Sequence, residues 1–200
     1  MWKGALTEAL AKYNTDRSIL FYALATLARD PAPIPRVRYV VHRGFVNDAC
    51  PEGEECDCLL TTTDLRSAKA EQILEASDAP VEIAWYIAPE RRQRHRFPDH
   101  KLQGKTSKLD WDRERVRVWN SLSETMQSAF YGPPPGQPSA QVKDMSSNMM
   151  ANNTNETLPE NFALVVIDPK EVDMLDLQHA RRTIFVRQEK RTWTSSEVAP

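Results

Sequence analysis

Short apolar runs of strand length, most of them bounded by proline, glycine or a charged turn, recur along most of this chain and limit the folds open to it. Val37, Tyr39 and Val41 alternate with Arg38, Val40 and His42, the period of a half-buried strand, and Gly44 ends or bends it. Residues 58–63, 80–87 and 162–167 read as further strands. Residues 169–173 read as a turn, 174–177 as its continuation, and 183–188 with 192–198 as a closing hairpin around Glu189-Lys-Arg. Residues 18–28 could form a buried helix, but their length and the stop at Pro31, Pro33 and Pro35 favour a core strand. Helical spacing marks only three segments. These are 2–13, with Leu6, Ala9, Leu10 and Tyr13 on one side; 64–77, with Leu65, Ile73 and Leu74 inward and Asp64 or Ser67 as cap; and 110–130, with Val116, Trp119, Leu122, Met126 and Phe130 three or four apart. Six or so strands and two or three helices predict a mainly β, α+β fold: a small antiparallel barrel with helices outside.

Two hundred residues, 40% hydrophobic and 27% charged, suit a single domain over 1–200 and exclude collagen, coiled coil and wholesale disorder. Residues 139–160, rich in Ser, Asn and Met, are expected to form a disordered loop, whose outer bounds are set at 137–160. The longest apolar stretch falls far short of the roughly 20 residues a membrane helix needs. The N-terminal Met-Trp-Lys-Gly-Ala-Leu-Thr-Glu has no signal-peptide core. Three cysteines, Cys50, Cys56 and Cys58, crowd one loop and cannot staple distant elements, so a reducing, cytoplasmic setting is expected. Their spacing is not that of paired zinc ligands, and no metal is expected. With 26 basic against 28 acidic residues, no global field selects nucleic acid or an anionic membrane, so any site for a polyanion must be local.

The stretch from Leu59 to Gln72 is the most informative chemically. A strand delivers the hydroxyls of Thr62 and Thr63 to a turn, and a helix opens there with Arg66, Ser67 and Lys69 at its start. Basic residues in a first helical turn oppose the helix dipole, so their presence points to a bound anion such as phosphate. Arg38 and Arg43 could add cations from the neighbouring strand. Five positions apart, they face opposite ways on an ideal strand and reach one ligand only through a bulge, a strand end or a backbone contact. No Ser or Cys sits in a recognisable nucleophile turn, and the four histidines are scattered.

Taken in order, Arg38-Tyr-Val-Val-His-Arg43-Gly-Phe, Thr63-Asp-Leu-Arg66-Ser67-Ala-Lys69 and Ala84-Trp85-Tyr86 with Gln93 resemble the FMN-binding domain of pyridoxamine 5'-phosphate oxidase-like proteins. Val118-Trp119-Asn-Ser-Leu-Ser, Phe130-Tyr-Gly-Pro-Pro-Pro-Gly136 and the ending with Arg181-Arg182, Trp193 and Val198-Ala-Pro200 are similar to a branch common in cyanobacteria, plants and fungi. The resemblance implies an FMN-binding split barrel, homodimeric, with FMN at the subunit interface. It places Arg38 and Arg43 on the flavin-contacting strand, Thr62 and Thr63 near the ribityl phosphate, and Ser67 and Lys69 in the phosphate loop, with Arg66 as the branch's own basic residue. Gln93 falls beside the flavin ring and Arg182 at the late FMN-contacting arginine, while the oxidase's late tryptophan falls at Leu175.

Two departures bear on activity. Gly132-Pro-Pro-Pro-Gly136 stands where the oxidases carry tyrosine, arginine and serine for the substrate phosphate. The barrel strand expected after Gln93 falls on residues 94–108, which are polar and contain Pro98 and Gly104, so the strand is either degenerate or lost. The residues 91–96 alone would read as a solvated basic edge. Three readings follow: an FMN-dependent oxidoreductase of unknown substrate, a non-catalytic flavin-binding protein, or a cofactor-free structural dimer.

Overall fold

The computed structural model describes residues 2–29, 31–46, 48, 56–75, 80–87, 91–97, 110–137, 158–189 and 191–200, and for 91–97 the backbone alone. Cys50 and nearly all of the loop expected at 137–160 lie outside these residues. Helix α1 (Trp2–Lys12) is followed by a 3-10 turn at Arg17–Leu20, which Asp16 caps by accepting from the Ser18 N–H. Then come β1 (Phe21–Ala28), β2 (Ile34–Val41), β3 (Leu59–Asp64), α2 (Ala68–Leu74), β4 (Val81–Ile87) and β5 (Arg91–Phe97). Two helices, α3 (Trp111–Asn120) and α4 (Glu124–Ala129), precede β6 (Phe162–Ile167), β7 (Glu171–Asp176), β8 (Arg181–Arg187) and β9 (Trp193–Val198).

Seven strands form one antiparallel sheet in the order β2-β1-β4-β5-β7-β8-β9, and β3 pairs with β6 in a second, two-stranded sheet. The register of β1 on β2 runs from Phe21 opposite Val41 to Ala28 opposite Ile34, and β1 also pairs with β4. Tyr22, Leu24, Val40, Ile83, Trp85, Val172 and Phe185 form the inner face of the large sheet. They pack with Trp2 and Leu6 of α1 and with Leu59 and Ile167 of the small sheet. β3 is buried on both faces, because Leu59 joins this core while Leu60 joins a smaller cluster with Val46, Cys56 and Cys58. That explains why its sequence is apolar with threonines and shows no clean alternation.

Several expectations need correcting. The alternation in β2 is real, but its apolar set faces outward: Val37 is 67% and Tyr39 78% exposed, while Val40 and His42 go inward. One helix over 110–130 becomes two, since Ser123 accepts from the Met126 N–H and opens α4 after the break at Ser121–Leu122. Trp119, Phe130 and Phe162 still meet in one aromatic cluster, but Val116 and Met126 are exposed. α2 is shorter than expected, with Leu65 and Leu74 exposed and Ala70 buried in their place. β7 begins at Glu171, inside the expected turn. The basic run at 91–96 is not at a sheet edge: β5 lies inside the sheet, pairing with β4 on one side and β7 on the other. The strand is thus present through Phe97, and residues 98–109 lie outside those described.

Candidate functional site

The turn from β3 into α2 is built by its own polar side chains. Ser67 accepts from the Ala70 N–H at 3.3 Å, the role of an N-cap, and donates its hydroxyl to the Asp64 carbonyl at 2.7 Å. The Thr63 hydroxyl lies 3.2 Å from that of Ser67. Asp64 accepts from the Arg66 backbone N–H at 2.8 Å, from its guanidinium at 2.6 Å and from Asn161 at 2.9 Å. The same guanidinium donates to the carbonyls of Phe130 and Gly132, at 3.1 and 3.0 Å. Arg66 therefore ties this turn to the proline-rich loop that follows α4.

α2 has only seven residues, so little of the local positive potential comes from its dipole. The side chains supply it. The Lys69 ammonium donates to the Thr62 carbonyl at 3.0 Å, and burial together with the nearby Arg38 charge pushes its pKa down to about 8. Arg38, reaching over from β2, donates to the Gln72 side-chain oxygen at 2.9 Å, to the Arg36 carbonyl at 3.1 Å, and to the Thr26 hydroxyl. Burial and Arg36 lower its pKa too. Among the described residues, every partner of Arg38 and Lys69 is a neutral oxygen. Two adjacent cations held without a carboxylate leave a charge for an anion to balance.

The remaining site residues lie apart from this pair. Arg43 leaves the end of β2 toward α4, where its guanidinium meets the Met126 sulfur at 3.4 Å and its buried Nε has no partner. Arg182 forms a two-pronged ion pair with Asp173, at 3.0 and 2.7 Å. Both residues line a groove of about 1160 Å³ on the outer face of the large sheet, along with Phe21, Ala23, Tyr39, Ala84, Tyr86 and Leu175. Gln93 sits on β5 in register with Trp85 and Met174. His42 is buried against Phe45 and Trp85, and burial followed by the Arg43 charge lowers its pKa to about 4, so the ring is neutral at pH 7. The structure thus joins Arg38, Thr62 and Lys69 in one corner, with Thr63, Ser67 and Arg66 on the adjoining turn. It places Arg43, Gln93 and Arg182 on other elements.

Sequence reasoning missed two residues of this corner, Thr26 and Gln72. Thr26 is a β1 residue 4% exposed in the core, and nothing in the sequence sets it beside Arg38. Gln72 had a usable signal, since it lies one helical turn after Lys69 and shares its face.

Residues 1–100 match the family described as "Pyridoxamine 5'-phosphate oxidase, FMN-binding domain". A curated relative from Arabidopsis thaliana, "Pyridoxine/pyridoxamine 5'-phosphate oxidase 2", is 25% identical over all of this chain and 96% of its own length. The crystal structure of a pyridoxamine 5'-phosphate oxidase-related, FMN binding protein from Nostoc punctiforme superposes with a TM-score of 0.75 at 26% identity. That alignment covers 100% of this chain and 97% of the other. PhzG from Burkholderia lata, solved with tetrahydrophenazine-1-carboxylic acid, has a TM-score of 0.72 at 15% identity over 98% of this chain and 91% of its own. At that identity the likeness is one of fold.

Proposed function

The chain belongs to the pyridoxamine 5'-phosphate oxidase FMN-binding-domain family, a split barrel with FMN as cofactor, and from that premise we propose that it is an FMN-dependent oxidoreductase. In this reading it works as a cytoplasmic homodimer with FMN at the subunit interface. The observation that carries the reading is the Arg38–Lys69 pair, two cations whose described partners are all neutral oxygens. A phosphate monoester is the anion that such a pair suits, and it is the group that distinguishes FMN from riboflavin.

Lys69 and Arg38 are proposed to hold the phosphate charge, with the Ser67, Thr63 and Thr62 hydroxyls at hydrogen-bonding positions along the β3–α2 turn. Arg66 would serve the site by fixing the turn against the loop at Gly132, its own charge being paired with Asp64. Arg43, with its unpartnered Nε, has donor capacity for a ligand at the end of β2. Gln93 and Arg182 would meet the flavin from the sheet and from the groove. Bound FMN would supply a hydride acceptor, while the protein supplies position and charge. No side chain is assigned as acid or base.

The outward set Phe21, Val37, Tyr39 and Tyr86, with small Ala23 and Ala84 between, is an apolar face at one edge of the sheet that suits a second copy of the chain. No described helix is long and apolar enough to cross a membrane. The loop Gly132–Gly136 offers prolines and a carbonyl already taken by Arg66, so no B6-phosphate substrate is proposed. The same loop favours a second reading, a flavin carrier without turnover. Anaerobic mixing of the FMN-loaded protein with nicotinamide and amine donors separates the two. Bleaching of the flavin absorbance supports the oxidoreductase, and its persistence with every donor supports the carrier.

A further inference from the structure

Gln72 occupies an unusual place in this corner. Its side-chain oxygen accepts from the Thr26 hydroxyl at 2.6 Å and from the Arg38 guanidinium at 2.9 Å, so one neutral acceptor on α2 ties β1 and β2 together. Thr26 in turn accepts from the other nitrogen of the same guanidinium. One helical turn earlier on α2, Lys69 is held by a backbone carbonyl. A buried or half-buried arginine in a folded protein is ordinarily met by a carboxylate, as Arg66, Arg117, Arg182 and Arg187 are here. Arg38 is met otherwise: like Arg43 and Arg115 it has no carboxylate among its described partners, and its four acceptors on β1, β2 and α2 carry no charge.

We propose that Gln72, with Thr26, is a charge-sparing positioning residue, which fixes the Arg38 guanidinium beside Lys69 while leaving both positive charges to a phosphate monoester. The inference rests on the reading of this corner as the FMN phosphate site. A carboxylate at position 72 would hold Arg38 in the same place, since it keeps the acceptor oxygen. It would also cancel one of the two charges before any ligand arrived. An apolar side chain of the same length would keep both charges and release the guanidinium. The amide does both tasks, so the two properties can be separated by substitution.

The test compares Gln72→Glu and Gln72→Met with the unmodified full-length protein in titrations with FMN and with riboflavin at low salt, alongside thermal melts. Gln72→Glu is expected to melt no lower than the parent, to lose about tenfold in FMN affinity, and to keep its riboflavin affinity. Gln72→Met is expected to lose less FMN affinity than Gln72→Glu. Three results would overturn the proposal: FMN affinity unchanged in Gln72→Glu, equal losses for FMN and riboflavin, or a larger loss in Gln72→Met. Lys69→Ala distinguishes the two levels of the argument. If it weakens FMN binding while Gln72→Glu does not, the phosphate site stands and the role of Gln72 falls. If neither substitution matters, both fall.

Discussion

Lys69 and Arg38 share one corner of the fold without sharing a counter-ion: the lysine rests on the Thr62 carbonyl at 3.0 Å and the arginine on the Gln72 amide oxygen at 2.9 Å. The cost of this arrangement shows in the lysine, whose pKa falls to about 8 through burial and the adjacent guanidinium.

A pH dependence follows. The ordinary lysine pKa is about 10.4, so between pH 8 and that value the unfolded chain binds more protons at this position than the folded one. The apo protein should therefore gain stability as pH rises through this window, and Lys69→Met should flatten the gain. An anion raises the Lys69 pKa again, so FMN binding takes up a proton near pH 8. Affinity should fall as pH climbs above 8, by at most about tenfold per pH unit. Urea melts and FMN titrations across pH 6 to 10 check both signs.

Substitution at the corner should rank the cations. Lys69→Ala and Arg38→Ala are each expected to weaken FMN binding by about tenfold to a hundredfold, the worth of one charge-assisted contact. Arg66→Ala should cost less affinity and more stability, because its guanidinium is already bound to Asp64 and to the Phe130 and Gly132 carbonyls. Equilibrium titration of the three variants, with melting curves, settles the order.

The extent to which the sequence foretold this site depends on whether contacts were local. The turn from Thr63 to Lys69 was readable because strand, cap and helix follow one another within a few residues. The Arg38–Thr26–Gln72 lattice was not, since it joins β1, β2 and α2 across sequence separations of 12 to 46 residues. β2 misled for a physical reason. Alternation reveals two faces, but an apolar face left exposed looks the same in sequence as one that faces the core. β5 misled in the opposite sense: its polar run reads as solvated, yet the backbone pairs on both sides. The helix over 110–130 kept its aromatic spacing, and the break came from Ser123 acting as a cap.

The outward face of β2 gives a prediction about assembly. Tyr39→Asp with Val37→Asp places two charges on side chains that are exposed in the single chain, so the fold should survive. The homodimer should not. Sedimentation is expected to show a dimer for the parent and the 22.8 kDa mass for the variant.

Asp168, just after β6, pairs with Arg187 at the end of β8, and it also accepts from the Cys58 thiol at 3.3 Å. Burial pushes its carboxyl up, but the Arg187 pairing, the Cys58 hydrogen bond and the Lys170 charge together hold it below the ordinary carboxylate range. The stability it contributes is present above the unfolded pKa of about 3.9 and is lost as pH falls through the lower folded value. Asp168→Asn leaves a largely buried guanidinium without its charge and should destabilise the protein by about 3 kcal/mol, read from urea denaturation at pH 7.

The most direct test of the central claim is a paired fluorescence titration of the unmodified protein with FMN and with riboflavin under identical low-salt conditions. The account predicts FMN binding at least about a hundredfold tighter than riboflavin, because the phosphate gains two charge-assisted contacts. Equal affinity for the two flavins, or binding of neither, would contradict it.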